Sequence, residues 1–152
     1  MAAPPEPHDV PGPLEPPEKP PESRAGLLLT DRMLTIFISL LVLTQAALAG
    51  HSRRLGGSIN IEIHGMVGNG VFTLLIVSAV IATVTRAGTA RLATLAALIV
   101  LATAQIGLGY VGRTSTEAAG WHVPLGVAIF GLTIYNLVLN RAQHARRDLG
   151  DS

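Results

Sequence analysis

Residues 92–111 read LATLAALIVLATAQIGLGYV, a run without a single charged side chain. An α-helix needs about 20 predominantly apolar residues to cross the hydrocarbon core of a bilayer, so this run predicts a membrane-spanning helix. Three more apolar segments surround it, at Met33–Gly50 (or from Gly26), Ile59–Val84 and Gly120–Leu139. The chain is therefore predicted to be an all-α integral membrane protein that crosses the bilayer four times and contacts lipid along its length.

The links between the four segments are short, so neighbouring helices are expected to run antiparallel, as in an up-down four-helix bundle. Composition agrees, because 14% of the 152 residues are charged, against about 25% in soluble domains. We divide the chain into a Pro-rich N-terminal tail at 1–25, a four-helix transmembrane domain at 26–141, and a short cytoplasmic C-terminal tail at 142–152.

The N-terminal tail holds all but one of the ten prolines of the chain. Proline at this density cannot continue a helix and favours extended, solvated backbone. The tail is either a disordered leader or an arm that binds another membrane subunit, in the manner of Pro-rich ligands.

The basic residues are distributed unequally between the two sides of the membrane. Eight of the 11 Lys and Arg residues lie on the side of the membrane that carries the two tails and the link between the second and third helices. Since basic residues accumulate in cytoplasmic loops, both termini are predicted to be cytoplasmic. The eight are Lys19, Arg24, Arg32, Arg86, Arg91, Arg141, Arg146 and Arg147, and the three on the outer side are Arg53, Arg54 and Arg113.

The two halves of the chain resemble each other. Residues 45–49 read QAALA and residues 105–109 read QIGLG, so both contain Gln, any residue, a small residue, Leu and a small residue. Residues 64–68 read HGMVG and residues 122–126 read HVPLG, which share the pattern His-x-x-x-Gly. Matches in the same order predict two similar helix hairpins, related by a pseudo-twofold axis along the membrane normal.

Two histidines, His64 and His122, lie inside predicted spans, where an ionisable residue is costly and suggests function. Both are near the outer end of their helices, which run in the same direction and sit diagonally across a four-helix bundle. Two imidazoles facing each other there could ligate a haem iron from both sides. Gly68 and Gly126, four residues later on the same helix face, would leave room for a porphyrin.

Three outer arginines, Arg53, Arg54 and Arg113, are candidate partners for the haem propionates. The chain has no cysteine, so thiolate-ligated metals and iron–sulfur clusters are excluded. The competing interpretation is structural: both histidines would sit among lipid headgroups, and the small residues would serve close helix packing.

The second half, from Gln105 and Gly109 through His122 to Phe130, resembles half of a heme A synthase. The resemblance covers about residues 33–140 and implies that His64 and His122 correspond to the axial ligands of one half. Only one half is present, and a haem with two His ligands has no open coordination position, which suits electron transfer better than oxygen activation. The chain also looks like small four-helix membrane proteins of bacteria, which implies the bacterial plasma membrane.

The sequence thus predicts a haem b-binding membrane protein with two His ligands. It would carry electrons, or act as an accessory subunit of a respiratory membrane complex rather than as an independent catalyst. The alternatives are a cofactor-free structural accessory subunit and a haem-modifying enzyme, with a quinone as a further candidate partner near Glu62. No row of polar residues lines any one span as in a channel, and no basic patch suits nucleic acid.

Overall fold

The structure is a computed structural model that describes the backbone of residues 22–55 and 58–150, and the side chains of residues 25–49 and 61–146. Four α-helices account for the described secondary structure: α1 Glu22–Leu55, α2 Ser58–Val84, α3 Thr89–Val111 and α4 Thr116–Gly150. All four are long and apolar enough to span a membrane, so the predicted four-helix membrane fold is confirmed. Residues 1–21, with most of the Pro-rich tail, lie outside the described residues.

The helices extend further than the apolar segments. α1 begins at Glu22 and α4 continues to Gly150, so helix reaches into both stretches interpreted as tails. α3 begins at Thr89, which places Arg91 inside the helix rather than in the preceding link. Such extensions are possible because helix formation needs satisfied backbone hydrogen bonds and not an uninterrupted apolar sequence.

The turn between α2 and α3 is fixed by a helix C-cap. Arg86 adopts a left-handed conformation with φ of 54°. Its N–H donates to Thr83 O at 3.1 Å, and the next N–H, of Ala87, donates to Ala82 O at 2.8 Å. Ala82 and Ala87 are both buried. These two bonds and the apolar contact form a Schellman motif, which ends α2 sharply and turns the chain back into α3.

The turn between α3 and α4 ends in a helix N-cap. Ser115 lies just before α4, and its Oγ accepts a hydrogen bond from the N–H of Ala118 at 3.3 Å. A side-chain oxygen at this place satisfies one of the N–H groups that the first turn of a helix leaves free. Pro124 lies inside α4 and cannot donate to the carbonyl of Gly120.

Each helix packs against the next one in the chain, and α4 closes the bundle against α1. In the described part of the chain, the pairs α1/α3 and α2/α4 make no close backbone contacts. They are therefore the diagonals of the bundle, as the sequence predicted for the second and fourth helices.

The core repeats the same pattern in both hairpins. In each helix, four buried positions follow the spacing i, i+4, i+7 and i+11, which places them on one face. Each of the four positions in α3 lies 60 residues after one in α1, the same separation as between Gln45 and Gln105. Each of the four in α4 lies 58 residues after one in α2, the same separation as between His64 and His122. They are Asp31, Thr35, Ile38 and Val42; Arg91, Leu95, Leu98 and Ala102; Val71, Leu75, Ser78 and Ala82; and Ile129, Thr133, Asn136 and Asn140.

Because the helices alternate in direction, these positions form layers along the bundle axis. Polar groups are buried at the end where α1 begins, and the middle is filled by aliphatic side chains such as Ile38, Leu75 and Leu98. Beyond Val42 the next inward positions carry Gln, Gly, Ala or His in place of large aliphatic residues. This change in side-chain size leaves space at the end of the bundle opposite the start of α1, where both histidines lie. We call it the outer end after its predicted orientation.

Candidate functional site

His64 near the start of α2 and His122 near the start of α4 face each other across the bundle. Their ring centroids are 5.9 Å apart, and the ring planes are inclined by 63°. Both side chains are only partly exposed. Since α2 and α4 lie on a diagonal, the two rings bridge the two hairpins at the outer end of the core.

Equivalent hydrogen bonds hold the backbone of the two histidines. Gln45 Nε2 donates to the carbonyl of His64 at 2.8 Å, and Gln105 Nε2 donates to the carbonyl of His122 at 3.0 Å. The Gln–His pairing inside each hairpin matches the repeat. Within a bilayer such bonds stabilise helix pairs by about 1 kcal/mol each.

The glycines that follow the histidines accommodate these glutamines. A Cβ at Gly126 would lie 3.1 Å from Gln105 Nε2, and one at Gly68 would lie 3.7 Å from Gln45 Nε2. The sequence interpretation assigned both glycines to a porphyrin surface. The structure gives them a nearer neighbour, the glutamine amide, although both also line the cavity between the hairpins.

The His122 ring is fixed on α3. Its Nδ1 lies 3.1 Å from the carbonyl oxygen of Gln105, and a Cβ at Gly109 would approach the ring Cε1 to 3.2 Å. A ring nitrogen beside a carbonyl carries the proton and donates, which leaves Nε2 with a free lone pair. Histidines that ligate metals are usually oriented by a hydrogen bond of this kind.

The His64 ring is held less firmly. Its Nδ1 is buried and has no hydrogen-bond partner in the part of the chain that the structure describes. The position equivalent to Gly109 is Ala49, which also lines the cavity. Ala49 carries a methyl group where the equivalent Gly109 has none, and the His122 ring has a hydrogen-bond partner that the His64 ring lacks among the described residues, so the two histidines have equivalent backbone bonds and different side-chain environments.

A cavity of about 520 Å³ surrounds the two rings and is lined by residues of all four helices. Its volume is in the range of small-molecule sites, about 300–1,000 Å³. Most of its wall is apolar, and Gly65, Gly68, Gly109 and Gly126 leave it smooth. Exposed lining residues such as Val123 and Val127 show that it opens toward the side of the bundle.

Of the three arginines predicted to pair with the haem propionates, the structure describes the side chain of one, and it lies at this cavity. Arg113 lines it and lies 5.1 Å from the centroid of the Tyr110 ring, a cation–π contact. Arg53 and Arg54 belong to α1, but their side chains lie outside the described residues. Arg53 is the repeat equivalent of Arg113, displaced by 60 residues. The structure thus places one cation at the mouth, while Glu62 is exposed elsewhere on α2.

A second polar cluster at the opposite end was missed by sequence reasoning. The Arg91 guanidinium donates to both carboxylate oxygens of Asp31, with Nη2–Oδ1 at 2.8 Å, and also to Thr35 Oγ1 at 3.3 Å. Asn140 Nδ2 donates to Asp31 Oδ2 at 3.0 Å. Asp31 and Arg91 are both almost completely buried. Asp31 and Arg91 are 60 residues apart in the sequence, as Gln45 and Gln105 are. This equal separation is the sequence signal that could have identified them as a pair.

Among the described residues, no group of three or more His, Cys, Asp and Glu side chains could hold a metal ion. Comparison of the chain with protein-family models, curated proteins and solved structures finds no match.

Proposed function

We propose that this integral membrane protein binds haem b between its two hairpins, with His64 and His122 as the axial ligands. The observation that carries the proposal is the facing pair of imidazoles, 5.9 Å apart at their centroids, in a cavity of about 520 Å³. Two imidazole nitrogens about 2.0–2.1 Å from one metal ion between them would place the ring centroids about 6 Å apart. The centroid separation of His64 and His122 is close to this value, which supports one metal ion between the two rings.

The surrounding residues fit the same group. The Gln105 carbonyl orients His122 so that Nε2 is available as a ligand. Gly65 lines the cavity and has nothing within 4 Å of the position that a Cβ would take, which leaves room beside His64 for a flat macrocycle. Arg113, which also lines the cavity, can pair with a carboxylate. Bound haem would supply one-electron exchange at its iron. The protein would hold it, exclude water and pass the electron to a partner in a bacterial respiratory membrane complex.

The absorption spectrum of the purified full chain, oxidised and then reduced with dithionite, tests this function. We expect a Soret band, and sharp visible bands on reduction. The sharp visible bands should be lost in His64→Ala and in His122→Ala, since each variant removes one of the two histidine ligands. His144→Ala removes a histidine of α4 beyond Asn140, at the opposite end of the bundle, and is the matched control. A colourless wild-type protein, purified after expression with added haem precursor, would reject the proposal.

One observation favours a second function, that of a cofactor-free structural accessory subunit. The inclined rings of His64 and His122 also form an edge-on aromatic pair, an arrangement that stabilises cores by itself. This function predicts a colourless protein that co-purifies with a membrane complex. The same spectrum therefore separates the two functions.

A further inference from the structure

We propose that the two histidines are unequal ligands: His122 anchors the bound haem, and His64 is the exchangeable ligand. A small neutral molecule such as carbon monoxide can then take the place of His64. This inference rests on the proposed haem function and adds to it a binding site for a diatomic ligand.

The repeat allows the surroundings of the two histidines to be compared directly. The backbone carbonyls of both histidines accept equivalent bonds from Gln45 and Gln105, at 2.8 and 3.0 Å. The helices therefore present the two side chains in the same way. Any difference between the rings must come from the residues that each ring touches.

The two histidine rings differ in their contacts with the preceding helix. His122 lies over Gly109 and reaches the Gln105 carbonyl, with Nδ1 and the oxygen 3.1 Å apart. A Cβ at Gly109 would lie only 3.2 Å from the ring, so alanine there would push the ring away. Alanine is the residue that occupies the equivalent position 49, and the His64 Nδ1 has no partner within the described residues.

This difference affects how strongly each histidine would bind the iron of the haem. A hydrogen bond from Nδ1–H to a carbonyl fixes the ring and makes the other nitrogen a stronger donor. Removing such a partner typically lowers metal affinity about 10- to 100-fold. His122 has this support and His64 lacks it, so His64 is the weaker ligand. When carbon monoxide binds, one neutral donor replaces another at ferrous iron, and no electron is transferred.

The cavity provides the space for this exchange. Gly65, one residue after His64, has nothing within 4 Å of the position that a Cβ would take. Gly65 and Ala49 both line the cavity, which opens toward the side of the bundle. This open space next to His64 is where its imidazole would move on leaving the metal.

The experiment uses the full chain in nanodiscs, with haem loss to an excess of apomyoglobin and carbon monoxide binding to the dithionite-reduced protein as readouts. We expect His122→Ala to lose haem at least about tenfold faster than His64→Ala. His64→Ala should keep haem and bind carbon monoxide more tightly than the wild type does.

A reciprocal pair of variants keeps both histidines and tests the cause. Ala49→Gly should let His64 reach the Gln45 carbonyl and weaken carbon monoxide binding about tenfold, whereas Gly109→Ala should accelerate haem loss by a similar factor. Equal haem loss from both alanine variants, faster loss from His64→Ala, or no effect of the reciprocal pair would overturn the inference and leave the haem function standing. A wild-type protein without a Soret band would overturn both.

Discussion

The outer end of the bundle depends on a few small residues at defined places. Gly126 and Gly68 make room for the amides of Gln105 and Gln45, which in turn hold the histidine carbonyls. The two glycines are equivalent in the repeat, but the space beside them differs. An added Cβ would lie 3.1 Å from Gln105 Nε2 at Gly126 and 3.7 Å from Gln45 Nε2 at Gly68. A matched pair of substitutions can use this difference.

Gly126→Ala should destabilise the protein, because the added methyl group must displace the Gln105 amide from the His122 carbonyl. Loss of that bond is worth about 1 kcal/mol. Gly68→Ala should be nearly neutral, since its contact would be an ordinary van der Waals distance. Thermal unfolding in detergent, followed by circular dichroism, compares the two variants. Equal melting temperatures would show that the Gln105 bond contributes nothing measurable.

At the scale of helices, the two diagonals of the bundle are joined at opposite ends. The histidines connect α2 with α4 at the outer end, and the Asp31–Arg91 pair connects α1 with α3 at the other end. The ion pair is buried, bidentate and supported by Asn140 and Thr35. Removing one charge leaves the other in an apolar environment without its partner, which is far more costly than removing both.

A double-mutant cycle tests this coupling. Arg91→Leu and Asp31→Leu should each destabilise the protein by about 3–5 kcal/mol, because each leaves one buried charge unpaired. The double substitution should recover a large part of that loss. Unfolding by sodium dodecyl sulfate, monitored by circular dichroism, measures the four free energies. Additive effects of the two substitutions would contradict a coupled pair.

The sequence predicted the four helices, the hairpin repeat and the diagonal position of α2 and α4. These features could be predicted because apolar runs and repeated motifs are visible in short stretches of the sequence. It assigned Arg91 to a link, since a charge beside an apolar run is normally a loop residue. The ion pair and the unequal surroundings of the two histidines depend on contacts between distant residues, such as His122 with Gly109, and no local pattern reveals them.

For the whole molecule, the even number of helices places both ends of the described chain on one side of the membrane. The excess of Lys and Arg on that side predicts that it is cytoplasmic. Orientation decides which compartment the histidine cavity faces, because the cavity lies at the end of the bundle where the turn between α3 and α4 is exposed.

Absence of cysteine makes this orientation easy to measure. Thr114→Cys lies in the exposed turn between α3 and α4, and Thr89→Cys is exposed at the start of α3 on the opposite side. A membrane-impermeant maleimide should label Thr114→Cys in intact bacterial spheroplasts and Thr89→Cys only after permeabilisation. The reverse pattern would place the termini and the Asp31–Arg91 end outside.

The charge pair between Asp31 and Arg91 also determines which hairpins can associate. These residues occupy equivalent positions of the two hairpins, so two copies of the first hairpin would bring two carboxylates together, and two copies of the second would bring two guanidinium groups together. Like charges at one buried point repel strongly. Despite their similar sequences, the halves are therefore complementary rather than interchangeable, and each first hairpin is expected to select a second hairpin as its partner.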